Sequence, residues 1–163
     1  MAQIRDEEKV VENNNTSGVN WTGTWKLASS EGLDEYLKDE GWGWVMRKAA
    51  GASSATQTLV HKGDTIEINI KNAKGSYGYK LVIGTGKPGD EVKYIDVDKI
   101  ACVSTAKYDD DTKNSYTETI VMSKKDGPAT YNAKRSLNDK KQMVFAITNK
   151  NGKTVKRIFN AQK

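Results

Sequence analysis

The sequence predicts a ten-stranded antiparallel up-and-down β-barrel, all-β apart from a helix-turn-helix lid after its first strand. Three observations carry that prediction. Nearly everything after Ala55 alternates with a period of two. Turn signals separate the alternating runs, at Lys62-Gly63, Lys74-Gly75, Pro88-Gly89, Asp109 to Asp111, Asp126-Gly127, Asn138-Asp139 and Asn151-Gly152. Helical spacing is confined to the stretch after one early strand. A long antiparallel meander must close on itself or leave long exposed edges, so a barrel is the economical solution. Eight or more strands leave room inside for a ligand.

Taken in order, residues 1–19 are rich in Asn and charge and read as a flexible N-terminal extension. The barrel domain is expected over 20–163. NWTGTWKL, from Asn20 to Leu27, reads as the first strand. In SEGLDEYLKDE the period changes, with Leu33, Tyr36 and Leu37 at helical spacing. Ser30 is placed to cap that helix, and Glu31, Asp34 and Glu35 suit its first turns. A second helix is expected over Trp42–Ala50, closed by Gly51. The strands that follow are TQTLVH, DTIEINIK, SYGYKLVI, EVKYID, KIACVSTAK, SYTETIVMS, ATYNAKRS, QMVFAITN and TVKRIF.

Composition narrows the function classes. A chain of 163 residues, 36% apolar and 29% charged, suits one globular domain with a substantial core. Its apolar runs fall well short of the ~20 residues a membrane span requires. The N-terminal stretch has no apolar core, and the single Cys102 rules out an internal disulfide, so the cytoplasm is the expected compartment. The net charge is +5 and uneven: 13 Lys/Arg against 15 Asp/Glu in residues 1–99, and 13 against 6 in residues 100–163. Such an excess suits an anionic ligand or membrane surface. No zinc knuckle, phosphate loop or nucleic-acid motif accompanies it, so no nucleic acid is expected.

GTWKLASSEGLDEYL resembles the N-terminal signature of the intracellular lipid-binding proteins, the fatty-acid-binding and retinoid-binding family of the calycin superfamily. Gly23, Trp25 and Leu27 occupy its opening positions; Gly32, Asp34, Tyr36 and Leu37 occupy its helix positions. Leu33 departs, standing where the signature has Phe or Tyr. Further likenesses are RKAAGA (Arg47 to Ala52), the Gly63-Asp64 turn, and DGPATY, ND and KRIF toward the end. Together they run in order through residues 20 to 163. The resemblance implies a clam-shaped barrel and a monomeric carrier that binds long-chain fatty acids or similar lipids non-covalently. It implies no cofactor, no metal and no catalytic residue.

Many members hold the lipid carboxylate with a basic residue on the eighth strand and an Arg-x-Tyr pair on the tenth. On this chain the tenth-strand Arg is Arg157, and the Tyr position is Phe159, which has no hydroxyl. For the eighth strand, an ungapped count between the flanking turns favours Lys134, whereas alternation puts Arg135 on the more apolar face with Tyr131 and Ala133. Tyr36, Met143 and Phe145 complete the candidate ligand contacts, with Ile66, Ile68, Ile70 and Met122 as further lining. A lone guanidinium between Val155 and Phe159 is the chemistry an acidic head group calls for. Arginine keeps its charge and offers a bidentate fork.

The remaining residues have plainer readings. Trp25 is expected to plug the closed end of the barrel. His61, beside a turn, is expected to be solvated, and Cys102 to be a buried small hydrophobe. Asp109, Asp110 and Asp111 read as a charged hairpin turn. Trp42 and Trp44, followed by Arg47 and Lys48, fall in the lid. They support the alternative function, a peripheral membrane or protein-interaction module in which the barrel is only a scaffold.

Overall fold

In the computed structural model, which describes residues 18–84 and 88–162, alternation decides the architecture. The elements are β1 (Gly23–Glu31), α1 (Leu33–Asp39), α2 (Trp44–Ala52), β2 (Ala55–Lys62), β3 (Thr65–Asn72) and β4 (Gly75–Val82). After a short 3-10 turn at Pro88–Asp90 come β5 (Val92–Ile95), β6 (Ala101–Tyr108), β7 (Tyr116–Lys124), β8 (Gly127–Leu137), β9 (Met143–Thr148) and β10 (Thr154–Ala161). All ten strands join one antiparallel sheet in the order β4-β3-β2-β1-β10-β9-β8-β7-β6-β5. First and last strands pair, Trp25 opposite Ala161 and Glu31 opposite Lys156, which curls the sheet into a barrel.

The two sheet edges, β4 and β5, are consecutive in the chain and meet without a ladder between them. Aromatic side chains fill this seam. Tyr79 of β4 stacks on Tyr94 of β5 with ring centroids 3.9 Å apart and planes 4° from parallel. At one end, Ile83 forms a parallel bridge to Ala106, and the Gly84 N–H donates to the Ala106 carbonyl at 2.9 Å. The expected ten-stranded barrel is therefore closed at this seam partly by rings.

The first helix starts later than its sequence signal. β1 carries a bulge between Leu27 and Ser29 and continues beside β10, with Ser30 opposite Arg157. Ser30 is thus a strand residue, and the N-cap is Gly32, at φ 77°. A Cβ there would stand 2.8 Å from the Thr154 carbonyl oxygen, so the close strand-to-helix turn requires glycine. Asp34 and Glu35 do occupy the first turn, where the helix dipole favours them. α2 extends through Gly51 to Ala52, because the Ser53 N–H continues the helical bonding to Ala50.

The main core lies at the closed end. Trp21 is fully buried, and its ring meets that of Trp25 at 6.1 Å. The Trp25 indole N–H donates to the Trp21 carbonyl at 3.0 Å, so Trp25 plugs this end as expected. Val19, just before the expected boundary at residue 20, donates to the Lys113 carbonyl and packs on the core. Residues 1–17 of the proposed extension lie outside the described residues.

His61 corrects an expectation. It shares the inward parity of Gln57 and Leu59 on β2 and is fully buried beneath Trp21, whose backbone N–H donates to its Nδ1 at 3.2 Å. Burial pushes the imidazole below its ordinary pKa, only partly offset by the Gly63 backbone and Asp64. The folded state therefore resists a proton that the unfolded chain accepts. Stability should be intact above an unfolded pKa of about 6.5 and fall as pH drops through the lower folded value. Urea midpoints at about pH 7.5 and 5.5 should differ less for His61→Gln, which keeps an acceptor for Trp21, than for the parent chain.

Candidate ligand-binding site

The register of β8 decides which basic residue faces the lumen. The Asp126-Gly127 turn pairs Lys124 with Gly127, and from there Ala129, Tyr131, Ala133 and Arg135 share one buried face. Arg135 is completely buried, its Nε donating to the Tyr116 hydroxyl and its Nη1 to Gln57 Oε1, both at 2.7 Å. The Met143 sulfur lies 2.9 Å from the same Nη1, and the guanidinium carbon stands 4.5 Å over the Phe145 ring. Lys134 points the other way. It is exposed and sits 3.7 Å from Asp109 on the outer face, so the ungapped count is corrected in favour of alternation. Three inward small or aromatic residues before it leave position 134 no other side of the sheet.

Arg157 lies on the inward face of β10 between Val155 and Phe159, both buried. Its Nε is buried and has no hydrogen-bond acceptor among the described residues. Burial alone pushes its pKa down. Phe145 of β9 is directly opposite Arg135 on one side and Arg157 on the other, so the two guanidinium residues flank one ring at the same height. Neither makes an ion pair with a carboxylate among the described residues. Arg135 also keeps one donor, Nη2, without a partner among the described residues. One fully buried guanidinium and one half-buried one thus stand beside the same ring with donors left over and no carboxylate beside them among the described residues.

Phe159, fully buried opposite Met143 and Leu27, brings no hydroxyl to this place. A phenol comes instead from Tyr116, directly opposite Arg135 on β7. Burial pushes that phenol up to about 12, with Arg135 pulling it back. Tyr116 and Gln57 were missed in the sequence. Their signal was present, as the polar members of inward runs (Tyr116, Glu118, Ile120, Met122; Gln57, Leu59, His61). Glu118 forms a further buried polar group on β7, accepting from the Tyr79 hydroxyl at 2.8 Å. Burial raises its carboxyl pKa, while the polar hydroxyls of Ser104 and Tyr79 nearby and the charge of Arg135 pull it back. Cys102 is buried and its thiol is pushed up to about 11 by burial.

Tyr36 does not reach the arginines. It packs under the lid with Leu37, Ala129, Tyr131 and Val155. Polar bonds fasten the C-terminal end of α1 to the barrel. Glu40 accepts from the Tyr131 hydroxyl at 2.5 Å and from Lys124 Nζ at 3.3 Å. The Asn149 amide donates to Asp39 at 2.8 Å and to Glu40 at 3.0 Å, and Asn151 donates to Asp39 at 2.9 Å. These amides hold the Asp39 carboxyl below its ordinary value. Beside this latch an open cleft of about 1040 Å³ lies between Trp42 and Met46 of the lid and the turns at Lys74, Asp98–Ala101 and Ser123–Asp126.

No protein-family model matches the chain. Human cellular retinoic acid-binding protein 1 is 31% identical over 126 residues, covering 77% of this chain and 88% of that protein. The chain belongs to the intracellular lipid-binding family. An adipocyte fatty acid-binding protein from Pygoscelis papua is 38% identical over a shorter stretch of 52 residues, 32% of this chain and 39% of that protein. Among solved structures, a REP1-NXSQ fatty acid transporter superposes with a TM-score of 0.67 at 26% identity, covering 87% of this chain and 96% of its own. A Schistosoma mansoni fatty acid binding protein in complex with arachidonic acid reaches 0.68 at 18% identity, over 90% and 99%, and so shares the fold. In the present member of this lipid-binding family, described residues form no helix long and apolar enough to cross a membrane.

The latch makes one prediction. Asn149→Ala should leave two α1 carboxylates short of a donor, and amide exchange over residues 33–39 should quicken about fivefold, with the barrel strands unchanged. Hydrogen-exchange mass spectrometry would read this directly; equal protection in both proteins would remove Asn149 from the latch.

Proposed function

We propose that this chain is a cytoplasmic carrier, not an enzyme, that binds a long-chain acidic lipid reversibly inside the barrel. Arg135 and Arg157 receive the carboxylate, and Tyr116 orients Arg135. The observation that carries this reading is the pair of carboxylate-free guanidinium groups flanking Phe145, Arg135 fully buried and Arg157 half-buried with a buried Nε. Relatives named for retinoic acid and for fatty acid binding support it, since both ligands present one carboxylate on an apolar body.

Energetics assign the two parts of such a ligand different work. Each buried methylene contributes roughly 0.8 kcal/mol, so a chain of about fifteen supplies on the order of 12 kcal/mol before ordering costs. Micromolar affinity needs only about 8 kcal/mol. The tail dominates affinity, and the arginines select the head group. Ile66, Ile68, Ile70, Met122, Met143 and Phe145 all lie on inward faces and are the proposed tail and head-group surroundings.

For Arg157→Leu, palmitate affinity measured by calorimetry should fall about tenfold or more, while its uncharged methyl ester binds as before. Parallel losses for acid and ester would overturn the head-group assignment.

A membrane-facing role has its own observation. Trp44, Val45 and Met46 are all exposed at the start of α2, with Lys48 Nζ 5.5 Å from the centre of the Trp44 ring. We propose that this patch touches anionic membrane during ligand delivery. Arg47 takes little part, because it is spent on Asp34 at 2.8 Å and on the Trp42 carbonyl at 2.7 Å. Changing Trp44→Ser together with Met46→Ser should slow ligand transfer to anionic vesicles severalfold without changing affinity. Unaltered transfer would assign the patch no part in delivery.

A further inference from the structure

Glu118 has no part in holding a carboxylate, yet it is built into the lumen. It is fully buried on the inward face of β7, one inward step from Tyr116 toward the lid. Its partner Tyr79 belongs to β4, on the far side of the seam, and the two side chains can meet only through the barrel interior. Glu118 Oε2 accepts the Tyr79 hydroxyl, while Oε1 is buried with no hydrogen-bond partner among the described residues. The wall facing it is polar as well. Tyr94 stacks on Tyr79 and shares a 2.9 Å hydrogen bond with the fully buried Ser104.

A buried carboxyl oxygen with no partner is costly, and here the unpaired oxygen lies inside a ligand-binding barrel. We infer that Glu118 recognises a hydroxyl group on the ligand, so that the preferred class is a hydroxylated long-chain acid and not a plain hydrocarbon acid. This inference rests on the carrier reading above. Two residues along a strand separate Glu118 from Tyr116, so the second polar point lies about 7 Å from the Tyr116–Arg135 level, toward the lid. A ligand whose carboxylate sits on the arginines carries the early part of its chain past Oε1. A hydroxyl is the group that fits whether or not Glu118 is ionised. It donates to a carboxylate and accepts from a carboxylic acid. A plain methylene at that point strands the oxygen, which is how a buried polar group discriminates between a ligand and its deoxygenated analogue.

The test is calorimetric binding of stearic acid and a series of monohydroxystearic acids, with the hydroxyl moved stepwise along the chain. One isomer with its hydroxyl in the carboxylate half should bind about tenfold tighter than stearic acid. Glu118→Leu should abolish that preference while holding stearic acid within about threefold of the parent. Glu118→Gln, which retains donor and acceptor, should keep most of the preference, and bound stearic acid checks that each variant is folded. If stearic acid binds and no isomer exceeds it by more than about twofold, the Glu118 inference is overturned and the carrier reading stands. If none of the acids binds the parent protein, the carrier reading itself fails. The parent series decides the matter even where Glu118→Leu does not fold.

Discussion

A guanidinium inside a protein cannot escape its charge by losing a proton, and Arg135 is entirely inside. That constraint explains why so much of this lumen is polar. The Tyr116 hydroxyl, the Gln57 carbonyl and the Met143 sulfur supply dipoles, and the faces of Phe145 and Tyr116 supply π density. These neighbours solvate the cation without neutralising it. A carboxylate would neutralise it outright, and Glu118, the buried acid on the adjoining strand, is bonded to Tyr79 instead. The charge of Arg135 is thus held by dipoles and ring faces alone among the described residues.

The same polar interior bears on how the barrel closes. Between β4 and β5 the backbone ladder stops, and stacked Tyr79 and Tyr94 take its place. Rings fill a seam without satisfying backbone groups, so this side is held by weaker, non-directional contacts than the β1–β10 side. The lid is fastened differently again. Asp39 and Glu40 stand at the C-terminal end of α1, where the helix dipole disfavours carboxylates. Asn149, Asn151, Lys124 and Tyr131 offset that penalty by donating to them. α2 buries no residue fully, so apolar packing holds it only loosely. The lid is thus held by the apolar packing of Tyr36 and Leu37 together with exchangeable polar bonds, and α2 is its more weakly fastened half.

Much of this was legible in the residues. Val155, Arg157 and Phe159 had to share a face, and that face is the lumen side. Turn signals at Lys62-Gly63, Asp126-Gly127 and Asn151-Gly152 fall between strands, with Gly63, Gly127 and Gly152 all at positive φ. Ser30 misled, because a good capping residue can equally extend a strand when β10 offers it a partner. His61 misled for a related reason. A place beside a turn suggests solvent, but the segment around Trp21 folds back over it, which no local pattern reveals.

What the sequence determined by itself was parity: along each strand it settled which residues stand together and which stand apart, as with Lys134 and Arg135. Which parity faces inward was decided only by closure, since a strand has two equivalent sides until a sheet curls and excludes water from one of them. Tertiary structure alone then brought Gln57, Tyr116 and Arg135 together from three strands, and Tyr79 to Glu118 across a seam. Hydrogen bonds act over about 3 Å and carry no trace in sequence separation, so those meetings had to be seen in space.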